Sequence, residues 1–379
     1  MKFIHTSDWH IGRQFHNVSL LEDQRHVLEQ IVAYIASESV DALVIAGDIY
    51  DRSVPPSRAV ALLDEFVSRI CTDMNVPIIM IPGNHDGAER LRFGSRQLSG
   101  AGLHILGDLE KVSEPVIIGS GDDRVAFYGI PYNDPETVRN LFTSDVKNHD
   151  EAHTYLIDQI KAVRNNGGVN VLISHCFLDG AQESESERPL SIGGADRVSY
   201  EPCIDFDYVA LGHLHSPQYK GKEHIRYSGS ILKYSFSEEK QKKGVTLVEL
   251  TGGEVTAKHL PLLPLRDMRI VEGKIQTIIE QGKVDPNHED YLLVRLTDRT
   301  AILDPMGKLR TVYPNVLHLE KPGMLETGSQ KMNRETLKRG ELEMFRDFFK
   351  EITGQVLSEE QDQAIKATVT ELNKLEAES

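Results

Sequence analysis

The sequence predicts an α/β layered domain, then a small α+β domain and a helical tail. Short apolar runs rich in β-branched residues recur between residues 3 and 211, and their length favours buried strands over helices. Amphipathic helical patterns lie between the early runs, which argues for helices layered on sheets. Polar clusters of Asp, His, Asn and Ser follow five of the runs, and strand carboxyl ends are where such sheets bind ligands.

In order, Phe3-Ile4 opens the series, and Leu21, Val27, Leu28, Ile31 and Ile35 mark one helical face. Ala42–Ala46 is the next strand. Val60, Leu63, Phe66, Val67 and Ile70 mark a second helical face, with Ser57 as its N-cap. Ile78–Ile81, Val125–Ile130, Val171–Ile173 and Tyr208–Leu211 complete the strands. Ile225–Gly229, Gly244–Leu250 and Glu254–Leu260 read as hairpin segments, so the sheets should finish antiparallel. Pro261 and Pro264 mark a boundary. Beyond it come strand Met268–Val271, helix Ile275–Glu280, strand Tyr291–Leu296, helix Met306–Val312 and strand Val316–Leu319. From Asn333 onward, Leu342, Phe345, Phe348, Phe349 and Ile352 form a helical stripe that Gly354 breaks. Ser358 to Gln361 then fits a capping box leading into Ile365, Val369, Leu372 and Leu375. The expected domains are 1–264, 265–325 and 333–379.

The 379 residues are 40% hydrophobic and 26% charged, a globular balance that excludes wholesale disorder. No apolar run approaches the ~18 residues of a transmembrane helix. Met1–Asp8 lacks the apolar stretch of a secretory signal, and the three cysteines form no CxxC pair. A cytoplasmic protein with no membrane partner is expected. At a net charge of −16, nucleic acid is not held by bulk charge, so any such binding must be local or metal-assisted.

The clusters are Asp8-Trp9-His10, Gly47-Asp48-Ile49-Tyr50-Asp51, Gly83-Asn84-His85-Asp86, Ser174-His175 and Gly212-His213-Leu214-His215. Each alone has a plainer reading, as a polar turn or a hydrogen-bonded structural His. Together, Asp8, His10, Asp48, Asn84, His175, His213 and His215 offer too many groups for one four-coordinate zinc. They suit two divalent ions sharing a carboxylate, and the imidazole–oxygen mixture fits manganese, iron or zinc better than calcium. Cys176 beside His175 reads as a small buried residue rather than a thiol nucleophile. Gln182–Glu187 reads as a short acidic, serine-bearing loop, and residues 220–243 as a modest basic surface stretch. Trp9 is placed either to stack on a base or to pack. Arg13, Arg52, Arg90 and Arg92 follow the ligand loops and are candidate DNA contacts, against the alternative of ordinary solvated arginines.

The ordered set DxH, GDxxD, GNHD, SH, GHxH over residues 8–215 resembles the calcineurin-like metallophosphoesterase superfamily. Ser7-Asp8-Trp9-His10-Ile11-Gly12 and the loop Glu187–Gly194 resemble its DNA-repair nuclease branch, the SbcD-like family, and the likeness extends over nearly the whole chain. The resemblance implies a layered β-sandwich core flanked by helices, a small α+β cap and a partner-binding helical tail. It implies one ion on Asp8, His10, Asp48 and His215 and a second on Asp48, Asn84, His175 and His213, with Asp48 bridging. His85 would face the scissile phosphate, and a carboxylate, Asp51 or Asp86, would orient it. Asp51 stands where some relatives carry His, so it reads like the phosphatase branch. The implied activity is a manganese-dependent nuclease acting in repair, recombination and replication. It would be an exonuclease on double-stranded ends and an endonuclease on single-stranded and hairpin DNA. Its implied partners are DNA, an SbcC-like coiled-coil ATPase and a second copy of the chain, giving a nucleoid-associated heterotetramer. The alternatives are a phosphomonoesterase or small-molecule phosphodiesterase with the same site, and a non-catalytic scaffold.

Overall fold

The computed structural model describes residues 1–121, 124–165, 167–187, 196–298, 300, 302–321 and 341–378. The Arg188–Gly194 part of the loop singled out above lies outside the described residues, as do 322–340. Two compact units result, Met1–Met268 and Arg269–Ser379.

The first unit is a sandwich of two six-stranded sheets. One sheet runs Glu254–Pro261, Gly244–Thr251, Lys2–Thr6, Ala42–Ala46, Ile78–Ile81 and Leu103–Ile105. Its last four strands are mutually parallel, and the first two join antiparallel. The other runs Gln218–Lys220, Lys222–Tyr227, Tyr208–Gly212, Val169–His175, Val125–Ile130 and Val116–Ile118, parallel except at its two edges. The sheets therefore finish antiparallel, as the hairpin segments indicate.

Alternation along the strands builds the core. Ala42, Val44, Ala46, Ile79 and Ile81 of one sheet meet Phe127, Val171, Ile173, Tyr208 and Ala210 of the other. Phe3 stands edge-on to Phe127 at 5.4 Å and to Tyr208 at 5.6 Å. Each such ring is worth about 1.5–3 kcal/mol when buried, so this layer alone strongly favours closure. Helix His149–Val163 covers the outer face of the second sheet through Leu156, Ile157 and Ile160. Helix Leu21–Glu38 buries Val27, Leu28, Ile31 and Ile35, the stripe read from the sequence. Helix Ser57–Ser68 departs from expectation. Ser57 is its first residue rather than its N-cap, and its buried face is Ala59, Leu62, Leu63 and Phe66, which leaves Val60 44% exposed.

In the second unit, strands Met268–Gly273, Tyr291–Leu296 and Val316–Glu320 form one sheet. Helices Ile275–Gly282 and Pro305–Arg310 help close a core of Ile275, Ile278, Leu292, Val294, Leu309 and Val316. Helix Glu341–Thr353 ends at Gly354, whose φ of 66° lets the chain reverse. Helix Glu359–Glu378 follows behind a reciprocal capping box. Gln361 N–H donates to Ser358 Oγ (3.2 Å) and Ser358 N–H to Gln361 Oε1 (3.0 Å). Phe345 and Phe348 remain 40% and 57% exposed. Among the described residues no helix is long and apolar enough to cross a membrane.

Candidate metal centre

The two sheets present their carboxyl ends to one cleft, and all seven candidate ligands converge there. The loops after Lys2–Thr6 and Ala42–Ala46 are zipped together: Asp8 N–H donates to Gly47 O (3.0 Å), His10 N–H to Asp48 O (2.9 Å) and Ile11 N–H to Ile49 O (2.9 Å). Gly83 and Gly212 make the close approach possible. A Cβ on Gly83 would lie 2.1 Å from Asp48 Oδ1, and one on Gly212 would lie 1.8 Å from Ala46 O.

Asp8, His10 and His215 offer ligand atoms within 4.8 Å of one another, as do Asp8, Asp48 and His175. Asp48 Oδ2 lies 3.6 Å from His10 Nε2 and 3.6 Å from His175 Nε2, midway between the clusters. Asn84 Oδ1 sits 2.9 Å from His175 Nε2 and 3.2 Å from His213 Nδ1. His175 Nδ1 is 2.9 Å from Ala46 O, a carbonyl that can only accept, so Nδ1 carries the proton. Nε2 then points a lone pair at two more acceptors, Asn84 Oδ1 and Asp48 Oδ2. His10 Nε2 faces His215 Nε2 at 3.1 Å, and His10 Nδ1 has no hydrogen-bond partner among the described residues. Acceptors facing acceptors in a buried space are what a bound cation satisfies.

Electrostatics agree. Burial, and then the Asp48 charge, push the Asp8 carboxyl well above its usual range. Burial pushes His10 and His213 well below theirs, and His175 below, so the imidazoles are neutral and able to ligate. Asp86 braces the loops from beneath, accepting from Ile49 N–H (3.0 Å), Tyr50 N–H (2.9 Å) and Gly83 N–H (2.9 Å). Burial and then Asp48 raise its carboxyl to about 7.

His85 joins the site with its N–H on Asp48 Oδ1 (2.9 Å) and its ring edge-on to His10 at 4.7 Å. Its orientation corrects the expectation of a carboxylate partner. Nδ1 meets the main-chain oxygen of Asp51 at 2.8 Å, the Asp51 carboxylate pairs with Arg13 at 3.1 Å, and Asp86 is committed to the loops. His10, Asp51 and His85 still fall within one 4.8 Å group.

The arginines divide. Arg13 is built into the wall, stacked 5.0 Å over Tyr234, and Arg92 is tied to Glu89 (2.9 Å) and Asp108 (3.3 Å). Arg52 is mostly exposed, 3.8 Å from Asp51, and Arg90 is exposed beside Leu91 and Phe93. Trp9 is buried, with its indole N–H on Thr6 Oγ1 (2.9 Å), so it packs and cannot stack on a base. Burial drives the Cys176 thiol up to about 12, which removes it as a nucleophile.

Several contributors escape the sequence reading. Gln24 on helix Leu21–Glu38 donates to Trp9 O (3.1 Å) and His10 O (2.7 Å) and accepts from Gly12 N–H (3.0 Å), clamping the first ligand loop. The loop 182–187 is more than an acidic surface turn. Glu187 Oε1 accepts from His215 N–H (2.7 Å), and Ser186 Oγ lies 2.6 Å from His215 Nδ1. Lys243, counted in the basic surface stretch, is buried in an ion pair with Glu238 at 2.6 Å. Only the spacing of polar residues inside otherwise solvated runs could have signalled them.

Residues 1–217 match the family described as Calcineurin-like phosphoesterase, and residues 264–353 match Type 5 capsule protein repressor C-terminal domain. The chain is 36% identical over 368 residues to the SbcD component of the SbcCD nuclease of Staphylococcus epidermidis, covering 97% of each. It is 37% identical over 374 residues to the SbcD component of the SbcCD nuclease of Staphylococcus saprophyticus, covering 98% of each. Among solved structures, TT1561 of Thermus thermophilus aligns over 68% of this chain and 98% of its own at 14% identity and a TM-score of 0.39, too distant to bear on the site. With these relatives spanning almost its full length and the phosphoesterase match covering its metal-centre motifs, the chain belongs to the calcineurin-like phosphoesterases and, among them, to the SbcD family of SbcCD nuclease components.

Proposed function

We propose that this chain is the metal-dependent nuclease subunit of a complex with an SbcC-like coiled-coil ATPase. It would cut double-stranded DNA ends exonucleolytically and single-stranded and hairpin DNA endonucleolytically, in the cytoplasm at the nucleoid. The observation that carries the reading is the convergence of acceptor atoms from five loops, with His85 beside them.

In this reading Asp8, His10, Asp48 and His215 hold one divalent ion, and Asp48, Asn84, His175 and His213 a second, most simply manganese. Ions there would supply Lewis acidity to the phosphate oxygens and would lower the pKa of water. Asp48, between the clusters, would serve both. His85 donates its Nδ1–H to the Asp51 carbonyl, so only in the imidazolium form would its Nε2 carry a proton for the developing phosphorane charge or the leaving oxygen. Asp51 keeps Arg13 against the wall.

The domain roles follow: 1–264 catalytic, 265–325 capping and 333–379 partner-binding. An apolar groove of about 670 Å³, lined by Val60, Leu63, Val67, Phe93 and Leu98, with Phe93 84% exposed, supports pairing with a second copy and hence a heterotetramer. The exposed Phe345 and Phe348 support the tail as the ATPase-binding element. Deleting 333–379 is expected to abolish partner capture in a pull-down and to leave manganese-dependent cutting of single-stranded DNA.

The deciding experiment is a metal-by-metal assay on linear, hairpin and single-stranded DNA beside p-nitrophenyl phosphate. Cleavage of DNA with manganese supports the proposal. Turnover of p-nitrophenyl phosphate without DNA cleavage would place the chain among phosphomonoesterases.

A further inference from the structure

Behind His215 lies a line of buried polar groups that the proposed chemistry does not itself use. Ser186 Oγ, 2.6 Å from His215 Nδ1, also hydrogen-bonds Glu238 Oε1. Glu238 is fully buried, and its Oε1 is 3.5 Å from His215 Nδ1, too far for a direct bond. Its other oxygen is 2.6 Å from Lys243 Nζ. The Lys243 ammonium, also buried, reaches His215 O (2.7 Å), Ser230 Oγ (2.8 Å) and Gln241 Oε1 (2.7 Å).

The chemistry of these groups fixes the direction of the protons along the line from Glu238 to His215. An ammonium only donates and a carboxylate only accepts. Ser186 must therefore give its hydroxyl proton to Glu238 and keep a lone pair for His215. That lone pair is filled by an Nδ1–H, which leaves the lone pair of a neutral ring on Nε2. Nε2 is the atom that faces His10 Nε2 at 3.1 Å, inside the Asp8–His10–His215 group.

We propose that Glu238, acting through the Ser186 hydroxyl and charge-matched by Lys243, is a positioning residue that locks His215 in its Nδ1–H tautomer and aims Nε2 at the ion. The inference rests on the two-ion reading above. It gives the loop 182–187 a role, since a displaced Ser186 would release the tautomer. It also accounts for a buried ion pair whose lysine bonds the main chain of the very histidine being set. Groups that orient a ligating His in this way are generally worth 10–100-fold in metal affinity.

Removing Glu238 would strand the Lys243 charge and endanger folding, so the test acts on the relay. Manganese is titrated calorimetrically into the metal-free full chain as wild type, Ser186→Ala and Ser186→Thr, with thermal unfolding measured in parallel. In Ser186→Ala one of two binding events should weaken about 10–100-fold and the other stay, while Ser186→Thr, which keeps the hydroxyl, returns to within about threefold of wild type. Unfolding temperatures of the metal-free proteins should coincide. Unchanged binding in Ser186→Ala, equal weakening of both events, or no rescue by Thr would overturn the inference and leave the two-ion reading standing. A wild-type chain that takes up fewer than two ions would overturn the two-ion reading, and this inference with it.

Discussion

Gly212→Ala tests whether the two sheet ends must touch for the site to exist. The added methyl would sit 1.8 Å from Ala46 O, 2.9 Å from Ala46 C and 2.9 Å from His175 Nδ1. Real Cβ atoms essentially never approach within 3.0 Å, so the strand ends Tyr208–Gly212 and Ala42–Ala46 must part by at least about 1.2 Å. Ala46 O is also the acceptor that fixes His175, at 2.9 Å, and such a shift breaks that bond. Overpacking costs about 1–3 kcal/mol and an orphaned buried partner a further 1–3 kcal/mol, together about 2–6 kcal/mol. Against a total stability of roughly 5–15 kcal/mol, this is a loss that urea unfolding of the metal-free chain would resolve easily. Manganese titration should also show the binding event that uses His175 weakened at least ~10-fold. A variant that unfolds with wild type and binds both ions normally would refute the claim that the glycine keeps the sheets in contact.

Three further outcomes are expected. His85→Gln should keep both ions by elemental analysis yet lose at least ~100-fold in DNA cleavage, and loss of metal would instead mark His85 as a ligand. Asp48→Ala should lose more manganese than Asp8→Ala in calorimetric titration, because Asp48 lies between both clusters, and equal losses would sink the bridging role. His153, buried with Nε2 2.9 Å from Ser174 Oγ, is pushed down to about 4 by burial. The unfolded chain therefore binds a proton below pH ~6.5 that the fold refuses, so the stability is full above that pH and falls toward pH 4, by about 3 kcal/mol in all. His153→Gln should flatten that acid slope by up to ~1.4 kcal/mol per pH unit in urea titrations, and identical slopes would count against a buried neutral ring.

The strands were legible because burial on both faces leaves continuous β-branched runs such as Ala42–Ala46 and Ile78–Ile81, with no polar residue to obscure them. The candidate ligands were legible because each follows such a run. What stayed hidden depends on the third dimension. Ser237-Glu238-Glu239-Lys240-Gln241-Lys242-Lys243 reads as a solvated charge run, yet Glu238 and Lys243 face inward as a pair. A pattern reports the side chain and not the carbonyl, so Asp51 suggested a carboxylate behind His85 where the structure supplies the main chain. The stripe on Ser57–Ser68 has the right period, but Val60 falls on the exposed side, because packing and not periodicity chooses which flank of a helix is covered.

Backbone conformation shows why the rest was hidden. Asp8, His10, Asp48 and His213, four of the seven candidate ligands, have φ of 52°, 45°, 50° and 104°, in a region that side-chain-bearing residues seldom occupy. Each such residue costs on the order of 1 kcal/mol or more unless its surroundings over-determine it. The surroundings do so here. The zipped loops pair the Asp8 and His10 N–H groups, the Asp8 carboxylate takes the His213 N–H at 3.0 Å, Gln24 holds the His10 carbonyl, and Asp86 gathers three N–H groups beneath Asp48. Most of those bonds end on main-chain atoms. Turn rules applied locally would put glycine or asparagine at such positions. Aspartate and histidine stand there because their side chains must meet, and the strain this creates is carried by residues such as Gln24 and Asp86 that supply none of the chemistry.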